Sequence, residues 1–124
     1  MSNTPTSKQE FVEQFRKRTK KLAIDTIRFS QGLPRTEEAI IMKRQLLRSA
    51  TSVGANYRAA CRARSAAEFY SKISIVVEEA DETLYWLELL EESGITSMSS
   101  ITNLVHDTTE IVSVLAKARK NTIK

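Results

Sequence analysis

The side chains in this chain best suited to chemistry are two sets of cations, and the chemistry they suit is holding a polyanion. Arg44, Arg48, Arg58 and Arg62 form the first set. On a helix, at 100° per residue, Arg44 and Arg62 point the same way and Arg48 and Arg58 sit within about 40° on either side, a stripe roughly 27 Å long. An arginine fork takes two phosphate oxygens at once, which makes it the usual choice for a nucleic-acid backbone. The second set is Arg16-Lys17-Arg18-x-Lys20-Lys21, five cations in six residues. They wrap around much of a helix, so most face solvent and form a non-specific phosphate patch. No aromatic interleaves with them, so stacking of single-stranded bases is not suggested there.

The arginine stripe belongs to a wider division of charge. Residues 35–64 carry Arg35, Lys43, Arg44, Arg48, Arg58, Arg62 and Arg64 against Glu37 and Glu38, a balance of +5. Residues 65–93 carry Lys72 alone against Glu68, Glu78, Glu79, Asp81, Glu82, Glu88, Glu91 and Glu92, a balance of −7. Such a split either pairs across a packed interface or leaves a basic face free for a polyanion.

Other chemistries lack their parts. Glu78, Glu79, Asp81 and Glu82 invite a metal reading, but di-iron bundles use paired Glu-x-x-His motifs. The only histidine, His106, has no acid three residues before it, and a place on a polar surface is expected for it. There is no Ser/His/Asp or Cys/His set and no phosphate loop, so no enzyme, cofactor or metal is expected. Cys61 is the single cysteine; it has no internal disulfide partner and reads as a small core residue.

The chain that must position these residues has 124 of them, enough for one domain with one core. Net charge is +4, compatible with nucleic acid without requiring it. Three Gly and two Pro leave long uninterrupted elements, which favours helices. The beginning, MSNTPTSKQE, has no apolar signal region, and no run of about 18 apolar residues exists, so neither secretion nor membrane spanning is expected and the cytoplasm is.

Hydrophobic spacing and capping signals give four helices. Residues 1–7 form a polar tail. Ser7-x-x-Glu10 is a capping box opening a helix to about residue 31, with Phe11, Phe15, Leu22, Thr26 and Phe29 on one face and Ala23 and Ile27 beside them; Gly32 and Pro34 end it. Thr36 caps a second helix, about 37–62, whose core row is Ala39, Leu46, Ala50, Val53, Gly54, Tyr57, Ala60 and Cys61. Ser65-x-x-Glu68 opens a third, about 66–93, closed by Gly94. The fourth spans about 98–120, with Ile101, Leu104, Val105, Thr108, Ile111, Val112, Leu115 and Ala118 inward, before a basic tail at 121–124. Four amphipathic helices with short connections argue for an all-α, antiparallel up-and-down four-helix bundle.

The third helix has more apolar surface than a monomer needs. Its core face is Phe69, Ile73, Val76, Ala80, Thr83 and Leu87. A second row, Ile75, Trp86 and Leu90, lies roughly 90° away beside Glu79, and Tyr85 lies further round. Exposed Trp, Tyr and Leu together mark an interface, so a homo-oligomer is expected, with Arg58 and Arg62 facing the acidic third helix in its own or a neighbouring subunit.

The stretch from Gln45 to Leu90 resembles one family closely. The match is densest at Leu46-x-Arg48-Ser49-Ala50-x-Ser52-Val53-x-x-Asn56 and continues through Arg62-x-Arg64-Ser65-x-x-Glu68-Phe69 and the segment 78–90. It looks like the bacterial four-helix-bundle proteins named for the intervening sequences of large-subunit ribosomal RNA genes, and helices one and four fit that family's length. It is similar, more distantly, to the accessory proteins of diversity-generating retroelements. The resemblance implies an up-and-down bundle assembled as a ring, a pentamer, that binds nucleic acid through basic surfaces beside a ribosomal RNA insert or a reverse transcriptase complex. The family name records where genes lie and supplies no activity. Within the motif, Gly54, Ser52 and Ala55 suit close helix approach, and Asn56 and Ser65 suit hydrogen bonding and capping.

Two functions follow as expectations. The first is a non-enzymatic homo-oligomer that binds structured RNA or DNA through Arg16, Lys17, Arg18, Lys20, Lys21, Arg44 and Arg48. The second is a protein-interaction scaffold whose charge split serves assembly and a protein partner.

Overall fold

Three of the four helices start where a hydroxyl takes up a backbone N–H that the helix itself leaves unpaired. Ser7 Oγ accepts from the Glu10 N–H at 3.1 Å, Thr36 Oγ1 from Ala39 at 3.3 Å and Ser65 Oγ from Glu68 at 3.1 Å. The computed structural model describes residues 7–122 and shows four helices: α1 (Lys8–Ser30), α2 (Glu37–Cys61), α3 (Ala66–Glu92) and α4 (Met98–Thr122). The architecture is all-α, with no strand among the described residues. The tail expected at residues 1–7 lies outside the described residues except for Ser7, which serves as a cap, and so do residues 123–124 of the expected basic tail. Lys117, Arg119 and Lys120 stand on helix, because α4 continues to Thr122.

α3 stops at a glycine for a stated reason. Gly94 takes a positive φ of 80°, its N–H bonds the Glu91 carbonyl at 3.0 Å, and the Ile95 N–H bonds the Leu90 carbonyl at 3.0 Å. This is the Schellman arrangement, in which a left-handed residue turns the chain back to satisfy the last carbonyls. α1 ends differently. It stops at Ser30, and the N–H groups of Gly32 and Leu33 bond the carbonyls three residues back in a tightened last turn.

Each helix packs against two others: α1 on α2, α2 on α3, α3 on α4, and α4 back on α1, the last seam being the loosest. Phe15, Leu22, Leu46, Val53, Ile73, Val76, Leu87, Ile101, Ile111 and Leu115 fill the space between them. Four buried threonines, Thr19, Thr26, Thr83 and Thr108, each return their hydroxyl proton to the carbonyl one turn back, so none is left unpaired in the core. Thr83 Oγ1 also lies 3.0 Å from Ser49 Oγ, a polar contact buried between α2 and α3.

The expected core rows need three adjustments. Leu90, expected at an interface between subunits, is fully buried within the single chain at 0% exposure. Its position, one turn past Leu87, falls where α3 meets the α3–α4 connection, and Ile95 packs down beside the same core. Ile27, expected beside the inner face of α1, is 41% exposed, because Thr26 and Ser30 take the inward positions of the last turns. Gly54 lies where α2 approaches α1, but a Cβ there would sit 3.4 Å from the Thr19 carbonyl oxygen, an ordinary contact that does not require glycine. Ala55 does not serve close approach, since it lies exposed on α2.

Candidate nucleic-acid interface

The structure separates the cations into those already neutralised and those that are not. On α1, Arg16 pairs with Glu13 at 3.2 Å, within its own helix. Arg18 crosses the loose seam to α4 and meets Glu110 at 2.7 Å, with its guanidinium carbon 5.1 Å from the Phe15 ring centre. Lys21 bonds Asp25 at 2.6 Å and reaches Asp107 on α4 at 3.6 Å. These contacts have the electrostatic consequences expected of them. Arg18, by hydrogen bond and by charge, holds the Glu110 carboxyl below the ordinary carboxylate range. Asp25 first, and Asp107 after it, raise the Lys21 ammonium. Lys17 and Lys20, from the same run, are exposed and make no ion pair among the described residues.

The arginine stripe of α2 divides in the same way. Arg48 is held by two carboxylates of α3, Glu79 at 2.8 Å and Glu82, both of which raise its affinity for its proton. Glu82 also accepts from the Trp86 indole N–H at 3.3 Å, and Tyr85 meets Trp86 edge-on with ring centres 5.1 Å apart. Arg44, Arg58 and Arg62 are exposed and make no ion pair among the described residues. The expectation that Arg58 and Arg62 face the carboxylates of α3 is therefore not met within the chain. The α2–α3 turn is short, so Arg58 and Arg62 stand beside the start of α3, whereas its acids are concentrated from Glu78 onward, toward the far end.

Of the residues expected at a subunit interface, Tyr85 is 54% exposed. Ile75 and Trp86 are half-buried, and the Glu79 side chain is 15% exposed with Arg48 against it. Trp86 packs on the edge of its own core. Asn56 donates to the Ser52 carbonyl at 2.9 Å and to its hydroxyl at 2.8 Å, a contact inside α2. Cys61 is half-buried near Tyr57, whose phenol is pushed up chiefly by burial and then by Cys61. His106 is exposed and lies 3.2 Å from Glu110.

A larger pattern emerges that helix-by-helix reading does not reveal. The start of α1, the end of α2, the start of α3 and the end of α4 come together, since Lys8, Tyr57, Arg64, Phe69 and Leu115 line one cavity. At that end stand Lys8, Arg58, Arg62, Arg64, Lys72, Lys117, Arg119 and Lys120, against Glu10, Glu13 and Glu68. None of those eight cations forms an ion pair among the described residues. Tyr70, Lys117, Arg119 and Lys120 share one shallow depression. The opposite end holds Arg28, Arg35, Lys43 and Arg44 against Asp25, Glu37, Glu38, Glu88, Glu91 and Glu92. Charge is divided along the bundle axis as well as between helices. Lys72, Lys117, Arg119 and Lys120 are not expected at a site from sequence, because Lys72 stands alone in an acidic segment and the other three belong to the basic end of the chain. Only the pairing of α3 with α4 brings them to the same end of the bundle.

No three His, Cys, Asp or Glu residues converge as a metal site among the described residues. No helix is long and apolar enough to cross a membrane.

Comparison with known proteins agrees with this architecture. A crystal structure of a protein with unknown function from the S23 ribosomal protein family of Bacteroides thetaiotaomicron superposes with a TM-score of 0.79 at 34% identity, covering 85% of this chain and 97% of that one. No curated protein matches the chain. The sequence model of the 23S rRNA-intervening sequence proteins matches residues 13–117, which spans all four helices, and the chain belongs to that family.

Proposed function

We propose that this protein is a non-enzymatic, cytoplasmic, antiparallel four-helix bundle that assembles with copies of itself and binds structured RNA or duplex DNA through phosphates. The observation that carries this reading is the end of the bundle where eight cations, none in an ion pair among the described residues, stand with three acids. A surface of one sign concentrates phosphate and speeds its arrival without reading sequence. Lys17 and Lys20 extend the basic surface along α1, and Arg44 adds a cation on α2. Arg16, Arg18, Lys21 and Arg48 serve chiefly to hold the fold, since each already has a carboxylate partner. The antiparallel sense is supported by contacts that run in opposite directions along α1 and α4, Arg18 to Glu110 and Lys21 to Asp107. Assembly is supported by the exposed Tyr85 beside the half-buried Trp86, with Ile75 and Glu79 further back along α3 and with Arg58 and Arg62 exposed near its start, and the family resemblance points to a ring of five.

The test is binding of labelled hairpin RNA and duplex DNA across a salt series, with the size of the assembly followed in parallel. Affinity should fall with a slope of about −0.9 per duplex phosphate neutralised in the logarithmic plot. Reversing Lys117, Arg119 and Lys120 to Glu should flatten that slope while the assembly keeps its size. Absence of binding even at low salt would overturn the reading. The Tyr85–Trp86 patch would then favour the second one, a protein-interaction scaffold in which the cations serve assembly.

A further inference from the structure

The two ends of the bundle are closed differently. At the end bearing the α1–α2 and α3–α4 connections, both connections fold an apolar side chain onto the core. Leu33 is buried there, and Ile95 packs against the core. At the other end the α2–α3 connection, residues 62–65, offers Ala63 as its one apolar side chain. The positions around it are also small: Ala60, Cys61, Ala66 and Ala118. Among the described residues nothing large enough to plug the space stands there, and they enclose a cavity of about 660 Å³. That volume lies within the range of roughly 300–1,000 Å³ typical of small-molecule sites.

The lining has a definite chemistry. Phe11, Val12, Phe69 and Leu115 give it apolar walls. The Tyr57 hydroxyl donates to the Val12 carbonyl at 3.3 Å, so it is already engaged. Among the described residues that line the cavity the only charges are Lys8 and Arg64, both cationic and both exposed, which places them at its mouth. None of its described lining residues is a carboxylate. We propose that this cavity binds a single-chain fatty carboxylate. The acyl chain lies against Phe11, Phe69 and Leu115, and the carboxylate meets the Arg64 fork with Lys8 beside it. Charge complementarity selects the occupant: a cation would be repelled by both charges, and a neutral alcohol would gain only the walls. The carboxylate would share Lys8 and Arg64 with the basic end of the bundle, but the acyl chain enters the cavity, so decanoate binding is read apart from nucleic-acid binding and can stand or fail without it.

The test is calorimetric titration of the full-length chain with decanoate below its micelle concentration, beside decanol and decyltrimethylammonium as uncharged and cationic counterparts. Decanoate should bind saturably and most tightly. Arg64→Glu, an exposed position, should weaken decanoate by about tenfold through loss of the bidentate contact and leave decanol unchanged. Ala66→Trp, also exposed and at the cavity wall, should abolish binding of both with the helical circular dichroism intact. Failure of decanoate to saturate, or equal binding by Arg64→Glu and the parent, would overturn the proposal. Competition by a peptide of residues 1–6 as effective as decanoate itself would also overturn it, by assigning the space to the chain's own beginning.

Discussion

Gly54 provides a direct test of how closely α1 and α2 must approach. A glycine inside a helix costs about 0.5–1 kcal/mol relative to alanine, because it loses more backbone freedom on folding. It persists where a Cβ would collide. Here the added Cβ would meet the Thr19 carbonyl oxygen at 3.4 Å, the Thr19 carbonyl carbon at 3.5 Å and the Lys20 nitrogen at 3.7 Å. These are ordinary contact distances, so the methyl of alanine fits without moving α1. Gly54→Ala should therefore raise stability by about 0.5 kcal/mol, most of the backbone gain less a small loss for crowding the carbonyl. Gly54→Val should behave oppositely. Its two further carbons extend about 1.5 Å beyond Cβ, and the stiff rotamer cannot turn both away from a rigid backbone, so a loss of about 1–3 kcal/mol follows. Urea unfolding at fixed protein concentration measures both, with an unchanged slope showing that only stability has moved. A loss above about 1 kcal/mol for Gly54→Ala would refute the reasoning, because it would mean the α1–α2 seam is tighter than the distances state.

Two further predictions concern stability. Leu90→Ala should cost about 2–5 kcal/mol in the unfolding of the single chain, as for other buried leucines, and leave the size of the assembly to follow only from that loss. A change of assembly size with full monomer stability would return Leu90 to an interface. The Arg18–Glu110 pair makes a pH prediction: Glu110 is held below its unfolded value, so its contribution is complete above about pH 4.3 and lost as pH falls through the depressed value. Urea midpoints between pH 6 and 3 should drop less steeply in Glu110→Gln than in the parent, by under about 1 kcal/mol since the pair is exposed.

The sequence carried the fold because its signals are local. Ser7, Thr36 and Ser65 act within three residues of themselves, and Gly94 within five, so a linear reading captures each of them. The 3.6-residue period places Leu46, Val53, Ile73 and Leu115 inward without knowledge of their partners. The candidate site was less legible because it depends on register between helices. Arg48 and Arg62 occupy the same stripe of α2. One meets Glu79 and Glu82, while the other stands beside the start of α3 and meets neither. Sequence spacing gives each helix its own angles but not the level at which the next helix stands beside it. For the same reason the family resemblance located the motif from Leu46 to Asn56 without showing that Asn56 donates back to Ser52 inside α2.

The uneven charge of the two bundle ends gives the molecule a permanent electric moment along its long axis. A charged body with such a moment experiences a torque in an external field and a pull. Near a polyelectrolyte, within about 10 Å at moderate ionic strength, that torque acts before any side chain makes contact. The bundle would arrive already turned, basic end leading, and encounters in the wrong attitude would be shortened. Added salt would therefore weaken the grip and also scramble the approach, so the association rate should lose its advantage before the equilibrium does.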